Sequence, residues 1–217
     1  MSSFTGFPTG TQDFLRGLRE NNSRTWFEAH REDYERFYLG PARDFVLSAG
    51  ERLLPIAPTI RAEPRILGSI FRINRDTRFS KDKRPYKDHL DFWFWEGKRK
   101  AAVSGLFARV SPDFVGVGAG GHGFSQQQLI AFRRALGDPA SASELGQVAA
   151  GLSTAGYTLS GAVSARSRFL YVHVDEPAEE ATRATLVDTC ERHWRALLPL
   201  HRWLVDHVQA REPLRVG

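Results

Sequence analysis

The sequence contains one cysteine, Cys190, among 217 residues. A single cysteine excludes an internal disulfide and leaves no cysteine set for a zinc or iron–sulfur site. Cys190 lies in a helical pattern beside Leu186 and Trp194, which favours a small buried side chain over a reactive thiol. The histidines show no metal-ligand spacing, so no residue is assigned as a metal ligand, and the sequence leaves the need for a metal or another cofactor open.

Long apolar runs are also missing. No segment approaches the roughly 18–20 uninterrupted apolar residues that span a bilayer, and the N-terminus lacks the basic and apolar regions of a signal peptide. We therefore expect a cytoplasmic protein without a membrane partner. With 41% hydrophobic and 25% charged residues, the chain is predicted to fold as one domain over residues 1–217. The oligomeric state is left open.

The hydrophobic period changes twice along the chain. Helical spacing predicts helices around 12–18 after an N-cap at Thr9–Thr11, at Ser23–Tyr38 closed by Gly40, and at 41–53. From about Arg65 the period falls to two, which predicts strands at 65–73, 90–95, 102–110 and 114–118. Helices follow at 125–136, 143–152 and, with a break at Pro199, 178–209, and a strand is predicted at 169–174. Without βαβ alternation, this order predicts an α+β fold with an antiparallel sheet in the middle of the chain and helices before and after it.

Charge is concentrated in residues 72–87, RINRDTRFSKDKRPYK, which we call the basic segment. It holds seven basic and two acidic residues, so its net charge of +5 equals that of the whole protein. Arginine grips phosphate or carboxylate with a planar fork of donors, and lysine adds a point charge. The segment therefore predicts an anion site formed by Arg72, Arg75, Arg78, Lys81, Lys83 and Lys87.

Two aspartates interrupt this run. Arginines lower the pKa of a neighbouring carboxyl, so Asp76 and Asp82 are poor proton acceptors and are predicted to brace the basic side chains. Either could instead ligate Mg²⁺ together with a substrate phosphate. If residues 72–78 are extended, one face carries Arg72, Asn74, Asp76 and Arg78 and the other carries Ile73, Arg75, Thr77 and Phe79. Pro85 favours a fixed loop over a helix for 80–86.

A glycine-rich stretch, Gly116–Gly123, is predicted to join a strand to a helix capped by Ser125. In such a loop the backbone N–H groups of Gly118, Gly120 and Gly121 can bind a phosphate. A tight loop packed against the sheet explains the glycines equally well, since the lysine of a P-loop is missing. If the protein is an enzyme, Tyr86 and His122 are the candidate proton donors.

The basic segment resembles the signature of DUF2461, a family of bacterial and fungal proteins without an assigned function. Other parts agree with the family pattern: Asn21-Asn22, Arg24, Trp26-Phe27, Tyr34, Ser111-Pro112, the glycines of 116–123, and Leu198-Pro199-Leu200 before Trp203. The resemblance covers most of the chain. It implies no activity, so the function has to be inferred from the residues.

Three functions fit these residues. The first is an enzyme or binding protein with a compact basic pocket for a phosphorylated or other anionic small molecule, in which the basic segment and the glycine stretch face one pocket. The second is a nucleic-acid-binding domain that uses residues 72–87, and the third is a protein-interaction module for an acidic partner. Outside the basic segment only Lys98–Lys100 form a second cluster, and Asp76 and Asp82 repel a phosphate backbone. This concentration of charge favours the first.

Overall fold

The computed structural model describes residues 4–161, 163–164 and 166–209. The helices in these residues are α1 (Thr9–Glu20), α2 (Arg24–Ala29), the single turn α3 (Arg31–Asp33), α4 (Gly40–Leu53), α5 (Gln126–Gly137), α6 (Pro139–Thr154) and α7 (Leu186–Val208). A π-helical stretch, Tyr34–Leu39, connects α3 to α4, and a 3₁₀ turn, Ala178–Thr182, precedes α7. The strands are β1 (Ile60–Arg61), β2 (Leu90–Glu96), β3 (Gly105–Val110), β4 (Phe114–Gly121), β5 (Thr158–Ser160) and β6 (Leu170–Pro177).

The described strands form one antiparallel sheet in the order β1-β2-β3-β4-β6-β5. Strands β2, β3 and β4 are neighbours in chain order, as expected for a meander. At the other edge β5 pairs antiparallel with β6, with Thr158 opposite His173 and Ser160 opposite Tyr171. Helices precede and follow the sheet, so the predicted α+β class is confirmed.

The contacts divide the described residues into two compact units. The first contains residues 4–94, 107–117 and 175–192, and the second contains the described residues of 95–106, 118–174 and 193–209. In the first unit the rings of Phe45 and Phe92 pack with centroids 4.5 Å apart. In the second, Phe132 meets Trp203 edge-to-face at 6.1 Å, and the indole N–H of Trp203 donates to the carbonyl of Ser141. The single domain predicted for 1–217 stays a prediction.

Elements with strong local signals form as expected. Proline occupies the first turn of α4, and the apolar residues at helical spacing are buried: Phe45, Val46, Ala49 and Leu53. Ser125 caps α5 through a capping box with Gln128. The strand predicted at 90–95 is β2. These predictions rest on side chains that act within a few residues of each other.

The helix predicted over Ser23–Tyr38 is interrupted at His30. Ser23 does cap α2, but His30 leaves helical geometry with φ −112° and stacks on Trp26 at 3.9 Å. The wider π-helical turns that follow carry Tyr34 and Tyr38 into the core. The chain then continues into α4, so Gly40 begins that helix and does not close the preceding one.

Three further predictions were wrong. Residues 65–73 form no continuous strand, because the N–H groups of Gly68 and Ile70 both turn back to the carbonyl of Arg65, and only an isolated antiparallel bridge joins Ile70 to Phe92 of β2. Helix α7 runs through Pro199 without a break, since the buried side chains on both sides of Pro199 hold the helix against the core. The N-cap of α1 is Pro8 and does not lie within Thr9–Thr11; Thr11 is buried in the helix, and its hydroxyl donates to the carbonyl of Phe37.

We expect the substitution Gly120→Ala to destabilise the protein. Gly120 has φ +129°, and a Cβ there would lie 2.3 Å from the carbonyl oxygen of Leu170. The strain and overlap should lower the free energy of unfolding by about 1–3 kcal/mol in urea denaturation. Gly146→Ala is the matched control, because Gly146 lies in α6 and a Cβ added there would have no neighbouring atom within 4 Å; it should raise that free energy by about 0.5–1 kcal/mol. Equal effects of the two substitutions would contradict this account.

Candidate functional site

The basic segment folds as a hairpin in the first unit. An antiparallel bridge pairs Asn74 with Tyr86, and the N–H of Lys87 donates to the carbonyl of Ile73 at 2.9 Å. These contacts close the root of the hairpin and leave 76–84 as its loop. Residues 80–86 are not helical, which confirms the loop expected from Pro85.

Asn22 holds one arm of this hairpin. Its side-chain amide donates to the carbonyl of Tyr86 at 3.0 Å, and its side-chain oxygen accepts from the N–H of Tyr86 at 3.0 Å. The Tyr86 ring stacks on Phe27 with centroids 4.4 Å apart and is 6% exposed. The structure thus places the first candidate proton donor, Tyr86, among core side chains that fix the root of the hairpin.

The two faces predicted for the first arm occur in the structure up to Thr77. One face is exposed and carries Arg72, Asn74, Asp76 and Arg78, whereas Ile73 is buried and Arg75 and Thr77 are half-buried. Phe79 departs from this pattern. It was expected on the same face as Ile73, but it is 93% exposed, with the Arg78 guanidinium carbon 5.7 Å from its ring centroid.

Asp76 and Asp82 form ion pairs with arginines of the basic segment. The oxygens of Asp76 lie 3.0 Å from Nε and 2.7 Å from Nη2 of Arg78, and these hydrogen bonds lower the pKa of Asp76 to about 2. Asp82 lies 2.9 Å from Nη2 of Arg84 and 2.6 Å from Nη1 of Arg75. Hydrogen bonds from Arg84 and then from Arg75 hold the pKa of Asp82 below its usual range. Both carboxylates are therefore ionised near neutral pH and joined to arginines.

Three cations of the basic segment remain available to a ligand. Arg72, Lys81 and Lys83 are exposed and take part in no ion pair within the described part of the chain. Lys83 Nζ donates to the carbonyl of Thr77 at 3.0 Å, which holds its charge beside the loop. The positive surface of the loop thus comes from these side chains, whereas Arg75, Arg78 and Arg84 are held by the aspartates.

The carboxylate of Asp91 connects the root of the hairpin to the sheet. Its Oδ2 lies 3.1 Å from Nζ of Lys87 and 3.3 Å from Nε2 of His89, and its Oδ1 accepts from Nε of Arg109 in β3 at 2.7 Å. The Asp91 side chain is only 15% exposed. Burial by itself raises the pKa of Asp91, but His89, Arg109 and Lys87 outweigh it and hold that pKa well below the usual range.

Asp88 extends this network toward helix α1. Its Oδ1 lies 3.1 Å from Nδ1 of His89, and its Oδ2 accepts from Nε of Arg19 at 2.9 Å. Arg19 also reaches Asp113 at 2.8 Å. Carboxylate oxygens only accept hydrogen bonds, so the imidazole of His89 satisfies Asp88 and Asp91 together when both its nitrogens carry protons.

Sequence reasoning missed most of this network. His89 contacts the two carboxylates Asp88 and Asp91, and Asp91 in turn pairs with Lys87 and Arg109. Arg19 and Arg109 come from other elements, and Arg19 lies 69 residues from Asp88 and 94 from Asp113. Spacing along the chain carries no signal for such pairs. Within the described residues no group of three or more His, Cys, Asp and Glu side chains has a metal-binding arrangement.

The predicted glycine loop is part of a strand. Strand β4 extends to Gly121, three residues beyond its predicted end, and Gly118, Gly120 and Gly121 are buried in it. A Cβ at Gly121 would lie 2.1 Å from the carbonyl oxygen of Val103, so close packing accounts for that glycine. These glycines belong to the second unit, whereas the basic segment belongs to the first. Their binding of an anion, and a pocket shared with the basic segment, stay predictions.

His122, the second candidate proton donor, follows β4. It is exposed, and its ring centroid lies 4.2 Å from that of Tyr171. The second cluster of basic residues, Lys98–Lys100, lies in the turn after β2, where the Arg99 guanidinium carbon is 5.5 Å from the Trp95 ring centroid.

The fold and the basic hairpin define an α+β protein that carries an exposed, positively charged loop. The family model described as "Conserved hypothetical protein (DUF2461)" matches residues 10–159, and the chain belongs to this family. The match includes the whole basic segment and its network. No curated protein and no solved structure matches the chain. None of the described helices is both long and apolar enough to cross a bilayer.

Asp91→Asn should destabilise the protein and change its pH dependence. The amide keeps the shape of the side chain but removes the charge that Lys87 and Arg109 share, which should lower the free energy of unfolding by about 2–3 kcal/mol at pH 7. Because the folded-state pKa of Asp91 lies below its ordinary value of 3.8, the stabilisation is complete above that value and is lost as the pH falls toward the folded-state pKa.

The difference in Tm between the wild type and Asp91→Asn, as measured by calorimetry, should therefore stay constant between pH 6 and roughly pH 5 and narrow between roughly pH 5 and pH 2.5. Asp76→Asn is the control, since Asp76 pairs with an arginine whose side chain is 77% exposed. It should change Tm only slightly. A difference between wild type and Asp91→Asn that does not depend on pH would show that the charge of Asp91 is not what stabilises the fold.

Proposed function

We propose that this protein binds a phosphate-bearing ligand through the basic segment. The observation that carries the proposal is that some cations of the segment are paired with aspartates, whereas others are exposed. Asp76 and Asp82 pair with three arginines, while Arg72, Lys81 and Lys83 stay exposed and form no ion pair in the described residues. We also propose that the protein is cytoplasmic, as the sequence predicts.

The fixed root of the hairpin supports this function. Asn22 clamps one arm through two hydrogen bonds, and Asp91 ties Lys87 to the sheet. A loop held at its base loses less conformational entropy when a ligand orders its side chains. Exposed cations on such a loop attract anions over about 8–10 Å at physiological ionic strength.

A serine, a histidine and a carboxylate do meet in the second unit, but their arrangement does not favour catalysis. His201 Nδ1 lies 3.0 Å from the hydroxyl oxygen of Ser104, and His201 Nε2 lies 3.4 Å from Glu96. Ser104 is 0% exposed and His201 is 1% exposed. A nucleophile must contact its substrate, so the buried trio supports a packing role. We therefore propose a binding protein in preference to an enzyme.

Phosphate and pyrophosphate should raise the Tm of the wild-type protein. A ligand at a hundred times its Kd stabilises the folded state by about 2.7 kcal/mol, which corresponds to a rise of roughly 5–10 °C in a chain of this size. Differential scanning fluorimetry with chloride at matched ionic strength as the reference measures the specific part. Added salt should reduce the rise, because the contacts are with exposed charges.

The double substitution Lys81→Ala, Lys83→Ala should remove most of this rise, since neither lysine is part of an ion pair that holds the hairpin. Arg134→Ala, which removes an exposed cation from α5 in the second unit, should leave it unchanged. If phosphate and pyrophosphate move Tm no more than chloride does, or if the double substitution and Arg134→Ala behave alike, the proposal is wrong.

A further inference from the structure

We infer that the ligand of the basic segment is a single-stranded nucleic acid, and that one of its bases stacks on Phe79. The inference rests on the proposed function, because it needs the same cations to contact the phosphates. Its own observation is the exposure of Phe79, which is 93% in a loop otherwise made of charged and polar residues. Among the other large hydrophobic side chains of the described residues, the highest exposure is 64%, at Leu54.

The loop combines the two components that bind single strands. Such sites pair cations that follow the phosphates with an aromatic ring on which a base can stack. Phe79 lies between Arg78 and Lys81 in the chain, and the Arg78 guanidinium carbon is 5.7 Å from the Phe79 ring centroid. An arginine beside the ring adds a cation–π contribution to a stacked base.

The sequence alone indicates that the aspartates of the loop repel a phosphate backbone, but in the structure their charges are paired. Both oxygens of Asp76 bind the guanidinium of Arg78, and Asp82 lies between Arg75 and Arg84. Each carboxylate is therefore neutralised by an adjacent cation. The charge that remains exposed comes from Arg72, Lys81 and Lys83, and it is complementary to a phosphate backbone.

The exposure of Phe79 favours a strand over a free nucleotide. One stacked base contributes roughly a 5- to 100-fold gain in affinity, whereas micromolar binding needs an association constant of about 10⁶ M⁻¹. Because Phe79 is exposed on a loop, the protein does not surround a single nucleotide bound there, so few further contacts can provide the remaining affinity. A strand supplies it through several phosphates and the release of their counterions.

A single-stranded ligand also fits better than an anionic membrane or an acidic protein. Stable membrane attachment needs a broad apolar face or a lipid anchor in addition to basic residues, and this loop offers one apolar side chain. An acidic peptide would satisfy the cations but gives Phe79 no flat partner. A base has a π-face of the right size next to its own phosphate.

The test uses fluorescence anisotropy with the full-length protein and a labelled oligothymidylate of about 16 nucleotides. Phe79→Ala should weaken binding roughly 5- to 100-fold, and Phe79→Trp should retain it. An abasic oligomer of the same length keeps the phosphates but has no bases, so Phe79→Ala should leave its affinity unchanged. Phe169→Ala, which removes a 40% exposed aromatic ring in the second unit, is the matched control and should have no effect.

Salt dependence reports the phosphate contacts separately. Three cations on a single strand predict a slope of log K against log salt of about −2, and Lys81→Ala should make it shallower by about 0.7. If Lys81→Ala weakens binding but Phe79→Ala does not, the base-stacking inference is wrong and the proposed function stands. If neither oligomer binds and phosphate does not raise Tm, both are wrong. Binding to anionic vesicles or an acidic peptide without binding to the oligothymidylate would also overturn the inference.

Discussion

The buried carboxylate of Asp91 is the group on which the position of the basic hairpin depends. Removing a carboxylate from water costs several kcal/mol unless cations and hydrogen bonds replace the lost solvation. Here Lys87 from the hairpin, His89 from the connection to β2 and Arg109 from β3 provide that replacement. Because these donors come from three places in the chain, the carboxylate holds them in one arrangement. The hairpin root is thus fixed by electrostatics in the sheet and by hydrogen bonds from Asn22.

This arrangement changes how the charge of the basic segment should be understood. The segment alone carries +5, but Asp88 and Asp91 follow it directly, so residues 72–91 carry +3 with histidine neutral. Arg75, Arg78 and Arg84 pair with Asp76 and Asp82 on the loop, whereas Arg72, Lys81 and Lys83 form no ion pair among the described residues and are exposed to water, which screens their charge. Folding therefore needs no bound polyanion. The case for a phosphate-bearing ligand comes from which cations stay available and where the loop places them.

Local signals made much of the fold predictable, and contacts between distant residues account for what was missed. Helix α4, the capped start of α5 and strand β2 follow from spacing and capping side chains within a few residues. The π-helical turns after His30, the continuous helix through Pro199 and the turn at 65–70 are set by packing that a hydrophobic period does not encode. In the site, the sequence located the basic segment, its charges and the loop at 80–86, but not the hairpin, Arg19, Arg109 or the exposed ring of Phe79, because these depend on the folded chain.

The glycines of β4 are explained by packing, whereas the exposed ring of Phe79 on the loop is not. Gly120 and Gly121 are required where β4 passes within contact distance of the carbonyl groups of Leu170 and Val103, so packing explains them without a phosphate. Phe79 is the opposite case, since its ring stays 93% exposed although the Arg78 guanidinium carbon lies 5.7 Å from the ring centroid. Exposing such a ring forgoes about 1.5–3 kcal/mol of burial. A residue whose local chemistry conflicts with its surroundings is expected at a functional site. The conflict at Phe79 is resolved when a flat aromatic partner covers the ring, and the neighbouring cations require that partner to be anionic.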